Sequence, residues 1–286
     1  MKKVLIISGV ILLLVIVAGI LLVFQRFQNV MAVETVQLDP QLKIYLGGGG
    51  NSIVLTSEDG QKALIVDTKM AGAAKSLRNS VRAGDITIVN THFHVDHISG
   101  NQLYPGAKLI AGAYSQEQWK KAAGENRYPD EIIQPGQETT LQIDSETIHV
   151  RNMGRAHTWN DVVVYLEKRK LLVTGDIIFL GRHPVLFAGS GASVTSWITV
   201  LDTLQTLYDV TTLVPGHGKV SDKNAIAWMK EYFTSAGDAI GNPQKQTELK
   251  GKYGTLSSLP GMSGFEKTMQ YIEKERKDAG KEGPGK

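Results

Sequence analysis

The chain has 286 residues, 42% of them hydrophobic, which is enough to form one large folded domain. Its 31 Lys and Arg residues nearly match 28 Asp and Glu residues, and no basic stripe interleaved with aromatic residues is evident, so we expect no nucleic-acid partner. Cysteine is absent, which excludes disulfide bonds and thiolate metal ligands.

The first segment in chain order is apolar. Residues 4–24 carry no charged side chain and follow Lys2 and Lys3. This length suits a bilayer-spanning helix, which needs about 20 apolar residues. A signal peptide cleaved near residues 30–32 is the rival interpretation, but its apolar region would be shorter, about 7–15 residues. We expect residues 1–32 to be a retained membrane anchor and linker, with a cytoplasmic N-terminus and an extracytoplasmic catalytic domain.

The chain beyond the anchor alternates between strand-like and helix-like segments. We expect strands at residues 33–38, 43–47, 52–56, 63–67, 85–90, 108–111, 140–143, 147–152, 162–167 and 171–174. Helices are expected at residues 71–82, 115–123, 196–208, 222–235 and 264–277, and residues 278–286 are expected to be disordered. The four glycines at residues 47–50 are expected to form a turn between strands, because no phosphate-binding motif follows them.

A dense group of potential metal ligands follows the strand expected at residues 85–90. Three imidazoles and one carboxylate occur there within a few residues: His92, His94, Asp96 and His97. Neutral imidazole and carboxylate bind zinc-like divalent ions. His92 and His94 are two residues apart in extended chain and project the same way, while Asp96 and His97 can begin a helix and point to a second position. The segment therefore predicts a metal site.

Three further segments each place one such ligand at a turn beside an apolar run, at His157, Asp176 and His217. Together with His92-Phe93-His94-Val95-Asp96-His97, they resemble the metallo-β-lactamase-fold hydrolase superfamily, over nearly everything from about Gly47 to Gly218. The resemblance implies an α/β fold, a four-layer αββα sandwich. It also implies two adjacent metal sites: His92, His94 and His157 would hold the first ion, Asp96, His97 and His217 the second, and Asp176 would bridge both.

The implied activity is hydrolysis by two divalent ions, which would be Zn²⁺, with Fe or Mn as alternatives. Such a pair lowers the pKa of a shared water, so that a metal-bridging hydroxide exists near neutral pH. Asp96 and Asp176 are the expected catalytic residues. The likeness is greatest to glyoxalase II-related hydrolases, so we expect a small ester-, thioester- or lactone-like substrate. β-Lactamase activity is the alternative. It ranks second because β-lactamases of this superfamily usually lack the bridging aspartate.

The same residues bear on three other protein classes. A flavodiiron oxidoreductase would carry glutamate in place of His94 and would need a flavodoxin-like domain. A mononuclear iron dioxygenase that acts on persulfides keeps the same ligand set, so the identity of the metal stays open. A membrane-tethered binding module without activity would be expected to have lost ligands, and none is lost. The sequence does not indicate the oligomeric state.

The expected domain organisation places the catalytic domain at residues 33–240 and a C-terminal helical extension with a disordered tail at residues 241–286. Asp67 closes an apolar run, where an aspartate can simply cap a helix. The resemblance implies instead that it supports the metal loop through a hydrogen bond to a ligand, and we expect that role. His149 is expected to be structural. His183 could reach the mouth of the pocket. Asp161 either orients a ligand or ends a turn.

Overall fold

The computed structural model describes residues 32–281, except residues 125 and 260, together with the single residue 19. The predicted membrane span at residues 4–24 therefore lies outside the described residues, apart from residue 19, and so do residues 282–286. Within the described part of the chain, no helix is long and apolar enough to cross a membrane.

The helices of the described part are α1 (Ala71–Ser80), α2 (Val95–Ile98), α3 (Gln116–Ala123), α4 (Val194–Leu207), α5 (Asn224–Asp238), α6 (Pro243–Tyr253) and α7 (Phe265–Lys281). Short 3₁₀ turns lie at Ser99–Leu103 and Ala188–Ser190. Local signals mark where several helices begin. A capping box of Ser115 and Gln118 starts α3, and the side chain of Asn242 caps α6 just before Pro243.

The first sheet contains seven strands in chain order: β1 (Val33–Gln37), β2 (Leu42–Gly47), β3 (Ser52–Thr56), β4 (Lys62–Val66), β5 (Asp85–Val89), β6 (Lys108–Gly112) and β7 (Glu131–Ile133). Strands β1 to β4 form an antiparallel meander, and β4 to β7 are parallel. Parallel neighbours need crossover connections, which here run through α1, α2 and α3.

The second sheet contains β8 (Glu138–Ile143), β9 (Glu146–Asn152), β10 (Val162–Leu166), β11 (Leu171–Phe179) and β12 (Thr212–His217). Its order is β12-β11-β10-β9-β8. All neighbours are antiparallel except β11 and β12, which are joined by a crossover through α4. The parallel pair brings Asp176 and His217 toward the same region of the sheet.

Alternation of side chains along the strands produces three apolar layers. In β10, Val162 and Val164 pack against the first sheet, whereas Val163 and Tyr165 pack against helices. In β2, Ile44 faces the second sheet and Tyr45 faces the other helical layer. The expected α/β architecture, two sheets faced on both sides by helices, is therefore confirmed.

Three elements were not expected from the sequence, namely β7, β12 and α6. Strand β12 contains Pro215, which cannot donate a backbone hydrogen bond and indicated a turn. The strand tolerates this proline because β12 lies at the edge of its sheet. The prediction of disorder at residues 278–281 was wrong, because α7 continues through them to Lys281.

The segment after residue 240 packs against the rest of the fold. Leu249 and Tyr253 of α6, and Phe265 and Met269 of α7, belong to the same buried cluster as Trp197 of α4. Burial of these side chains removes apolar surface from water and holds α6 and α7 on the second sheet's helical layer.

Candidate metal centre

All seven predicted ligands meet at one end of the two sheets. The loop after β5 supplies two of them, α2 supplies two, and the β9–β10 loop, β11 and the end of β12 supply one each: His92, His94, Asp96, His97, His157, Asp176 and His217. They form two clusters, and within each cluster the potential ligand atoms all lie within 4.8 Å of one another. The first cluster is His92, His94, His157 and Asp176, and the second is Asp96, His97 and His217.

The carboxylate of Asp176 lies between the two clusters. Its Oδ2 is 3.3 Å from Nε2 of His157 and 3.8 Å from Nε2 of His92. Its Oδ1 is 3.2 Å from Nε2 of His97 and 3.4 Å from Nε2 of His217. Each carboxylate oxygen therefore faces a different cluster, which is the geometry that a bridging ligand requires.

Unpartnered buried atoms test whether metal ions suit this cavity. Among the described residues, Nε2 of His92, Nε2 of His97 and Oδ1 of Asp176 are buried without a well-aligned hydrogen bond. A buried polar atom without a well-aligned hydrogen bond is costly, and these three atoms all belong to the two ligand clusters. Imidazole nitrogen and carboxylate oxygen are ligands for zinc-like ions. The residues present thus fit a pair of metal ions.

Burial keeps the imidazoles of the first cluster in their neutral, ligating form. It lowers the pKa of His92 well below the ordinary value and lowers that of His157 to about 3. Burial also disfavours charge on His97 and His217, but the surrounding carboxylates together outweigh it and raise both pKa values: Asp176 and Asp96 act on both imidazoles, and Asp67 acts on His97. Without metal ions, the second cluster therefore attracts protons that a cation would displace.

Asp67 supports the metal loop, as the sequence predicted. Its carboxylate accepts hydrogen bonds from the backbone N–H of Thr91 at 2.8 Å, the Thr91 hydroxyl at 2.7 Å and Nδ1 of His97 at 2.7 Å. Asp67 has a φ of +59°, a left-handed conformation that aspartate tolerates better than most residues. The strained turn after β4 places this carboxylate next to Thr91 and His97.

Asp161 organises the loop that carries His157. Its buried carboxylate accepts hydrogen bonds from the N–H of Ala156 at 3.1 Å, and from the N–H and hydroxyl of Thr158, both at 2.8 Å. Burial raises the pKa of Asp161 to about 7, although these hydrogen bonds oppose the shift. Asp161 therefore positions the loop on both sides of the ligand, which decides between the two roles left open by the sequence.

Two glycines allow the backbone to approach the ligands closely. A Cβ at Gly50 would lie 2.2 Å from the ring of His97, and one at Gly216 would lie 2.1 Å from Oδ1 of Asp176.

The expected turn at residues 47–50 is held by a side chain that sequence reasoning missed. The buried Nζ of Lys69 donates to the carbonyls of Tyr45, Gly47 and Gly50 at 2.6–2.8 Å.

Two other histidines lie outside both clusters. Nδ1 of His183 is 2.7 Å from the hydroxyl of Tyr232 on α5, so His183 is buried against that helix and is not a residue of the pocket mouth. His149 pairs with Glu138 and Glu167 on the strand face directed away from the first sheet. This position agrees with the structural role expected for His149.

The 3₁₀ turn Ala188–Ser190 and its neighbours border the first cluster. The hydroxyl of Ser190 is 3.0 Å from Nε2 of His94, and the Phe187 ring lies 5.9 Å from the His94 ring. Phe187 and Trp159 both remain more than a third exposed. Arg182 reaches the second cluster, with Nη1 3.4 Å from Nδ1 of His217. No spacing in the sequence signals the contact between Ser190 and His94.

Comparison with known proteins identifies the relatives of this fold. A family model described as the metallo-beta-lactamase superfamily matches residues 45–217. A metallo-beta-lactamase type 2 from a Bacillus species is 27% identical over 142 residues, which cover 49% of this chain and 54% of that protein. A hydroxyacylglutathione hydrolase from a Cyanothece species is 29% identical over 148 residues, with coverage of 49% and 54%. The chain thus spans about half the length of these relatives.

A solved structure extends the likeness at the level of the fold. A metallo-beta-lactamase from Pontibacter korlensis superposes with a TM-score of 0.59 at 20% identity, covering 68% of this chain and 96% of that protein. At this identity the superposition shows a shared fold.

Proposed function

The chain belongs to the metallo-beta-lactamase superfamily, and on that premise we propose that it is a dinuclear metal-dependent hydrolase. The observation that carries the proposal is the position of Asp176, whose two carboxylate oxygens face different ligand clusters. The first ion would be held by His92, His94 and His157, and the second by Asp96, His97 and His217. Zn²⁺ is the ion proposed for both positions, with Fe or Mn as alternatives.

Two divalent ions, when bound, supply Lewis acidity that polarises a substrate oxygen and lowers the pKa of a water. The chain's own residues hold and aim this centre. Asp176 and Asp96 are the proposed catalytic residues. Burial raises the pKa of each carboxyl, but neighbouring imidazoles outweigh it, so that both stay ionised near neutral pH. Asp67 and Asp161 orient the segments that carry His97 and His157.

We propose an ester, thioester or lactone as the substrate class. An alkoxide or thiolate leaves readily from such a carbonyl compound, whereas an amide nitrogen must first be protonated. One of the two relatives is named a metallo-beta-lactamase and the other a hydroxyacylglutathione hydrolase, so β-lactam hydrolysis is the second candidate. A mononuclear iron persulfide dioxygenase is the third candidate, because it would use the same ligand types.

Metal analysis and a substrate panel test this proposal. The purified full-length protein should bind two Zn²⁺ per chain and hydrolyse an activated ester, thioester or lactone. Chelator should abolish the activity, added metal should restore it, and His94→Ala should be inactive. Lys75→Ala, an exposed change on α1, is the control. Efficient penicillin or carbapenem hydrolysis without esterase activity would favour the β-lactamase alternative, and one bound iron with persulfide oxidation would favour the dioxygenase.

We also propose that residues 4–24 anchor the protein in a membrane with the catalytic domain extracytoplasmic. The uncharged length of this segment and the two preceding lysines support the proposal. The protein should fractionate with membranes and be released by detergent, and protease added to spheroplasts should cut it. Soluble mature protein that begins near Val33 would show instead that the segment is a cleaved signal peptide.

A further inference from the structure

We propose that Ser190 is a positioning residue for His94 and that the C-terminal helix α7 holds Ser190 in place. This inference rests on the proposed metal-dependent function. It assigns a role in the metal centre to α7, which lies beyond residues 45–217, the part of the chain that matches the family model.

The orientation of the His94 ring is the first step. Its Nδ1 lies 2.9 Å from Nε2 of His157, so Nδ1 faces the first ligand cluster. Its Nε2 points the other way, 3.0 Å from the hydroxyl of Ser190. An imidazole that ligates through Nδ1 carries its proton on Nε2, and therefore donates to the Ser190 oxygen. Ser190 thereby selects both the tautomer and the direction of the ring.

Ser190 can do this only if its own backbone is held in place. The segment Phe187–Ser193 follows a tight path, in which the N–H groups of Ser190 and Ala192 both donate to the carbonyl of Phe187. The carbonyl of Ser190 accepts from the N–H of Trp159, two residues after His157. The turn is thus hydrogen-bonded to the loop that carries another ligand of the same cluster.

Helix α7 contacts the end of this turn with two polar side chains. The hydroxyl of Tyr271 donates to the carbonyl of Ala192 at 2.8 Å. The carboxylate of Glu275 accepts from the Ser193 hydroxyl at 2.5 Å, and from the N–H groups of Val194 at 3.1 Å and Thr195 at 3.4 Å. Glu275 therefore caps the N-terminus of α4 from a separate helix.

This cap is favourable for two physical reasons. The first N–H groups of a helix have no partner within the helix, and its N-terminus carries partial positive charge. The Glu275 carboxylate accepts hydrogen bonds from these N–H groups, and its negative charge lies next to the positive end of the helix. It therefore holds α4 and the adjoining turn against α7. Arg155 also holds the turn, since its guanidinium donates to the carbonyl of Gly191 at 2.6 Å and to that of Ala192 at 3.3 Å.

Zinc affinity tests the role of Ser190. Full-length wild type, Ser190→Ala, Ser190→Thr and the exposed control Ser258→Ala would be titrated with Zn²⁺ against a chromophoric chelator. We expect Ser190→Ala to weaken binding of one ion by about tenfold, with rescue by Ser190→Thr, which restores the hydroxyl, and no change in the control. The visible absorption of the Co²⁺-substituted Ser190→Ala protein should also differ from that of wild type. Equal affinities and spectra for wild type and Ser190→Ala would overturn the role of Ser190.

A pair of variants on α7 tests the second half of the proposal. Glu275→Ala removes the cap, whereas Glu273→Ala removes only a surface pair with Lys277 on the same helix. We expect Glu275→Ala to weaken the binding of the same Zn²⁺ ion several-fold while the second ion stays bound. Glu273→Ala should leave the affinity unchanged. Unchanged affinity in Glu275→Ala would overturn the role of α7. If the wild-type protein bound no metal, the proposed function itself would be wrong. The titration distinguishes that result from unchanged affinity in Ser190→Ala or in Glu275→Ala.

Discussion

Nδ1 of His97 lies 2.7 Å from Oδ2 of Asp67, so a buried carboxylate outside both ligand clusters aims an imidazole of the second cluster. The same carboxylate accepts two hydrogen bonds from Thr91, the residue just before the first ligand, His92. Asp67 therefore connects the strand end that carries the first cluster to the helix that carries the second.

Replacement of Asp67 by asparagine should weaken the second metal position. An amide has one acceptor oxygen where the carboxylate has two, so it cannot accept both from the Thr91 N–H, which bonds Oδ1, and from His97, which bonds Oδ2. We expect Asp67→Asn to lower the affinity for the second ion by about 10–100-fold, measured by Zn²⁺ titration. Asp85→Asn, an exposed change at the start of β5, is the matched control. Wild-type affinity in Asp67→Asn would show that His97 needs no such support.

Removal of the Asp176 carboxylate should uncouple the two clusters. Asp176→Ala deletes the carboxylate whose two oxygens face the two clusters, so we expect about one ion per chain and no hydrolytic activity. Metal content would be measured by elemental analysis after dialysis. Asp202→Ala, which removes a surface ion pair with Lys230, should retain both ions. Two ions and full activity in Asp176→Ala would contradict the bridging role.

An added methyl group at Gly216 should disturb the metal centre without changing any ligand. The new Cβ would lie 2.1 Å from Oδ1 of Asp176 and 2.5 Å from the carbonyl carbon of Gly175, so the carboxylate must move. We expect Gly216→Ala to lower metal affinity by at least about tenfold. Gly72→Ala on α1 meets no atom within 4 Å and should behave as wild type in the same titration. Equal affinities for the two variants would mean that the backbone absorbs the clash.

The pH dependence of stability should reveal His149. Partial burial lowers the pKa of His149, but hydrogen bonds with Glu138 and Glu167 outweigh it and raise the pKa above its ordinary value of about 6.5. Its stabilising contribution is thus full below about pH 6.5 and is lost as the pH rises through the folded-state pKa.

We therefore expect His149→Gln to lower the thermal midpoint more at about pH 6 than at about pH 9. Circular dichroism at both pH values would measure this difference between variant and wild type. His149 belongs to neither ligand cluster, so metal content should be unchanged. A destabilisation that is the same at both pH values would show that His149 contributes only by packing.

Much of the fold follows from patterns that act over a few residues. Strand β10 is a continuous apolar run because both of its faces are buried, and α3 begins at a capping box that is visible in the sequence. Strand β12 was not predicted from the sequence, because Pro215 and Gly216 favour a turn locally. Its parallel pairing with β11, from residues distant in sequence, decides the outcome.

For the metal centre, residue chemistry pointed to His92, His94, Asp96 and His97, because imidazole and carboxylate bind zinc-like ions. The resemblance to the metallo-β-lactamase-fold superfamily supplied the roles of His157, Asp176 and His217. The assignment of each carboxylate oxygen of Asp176 to a cluster depends on where β11 lies relative to β5 and β12, which only the packed sheets determine. The contacts of Ser190 with His94 and of Glu275 with α4 span 96 and about 80 residues of chain. No local pattern encodes such contacts, since they form only when the helical layer closes over the second sheet.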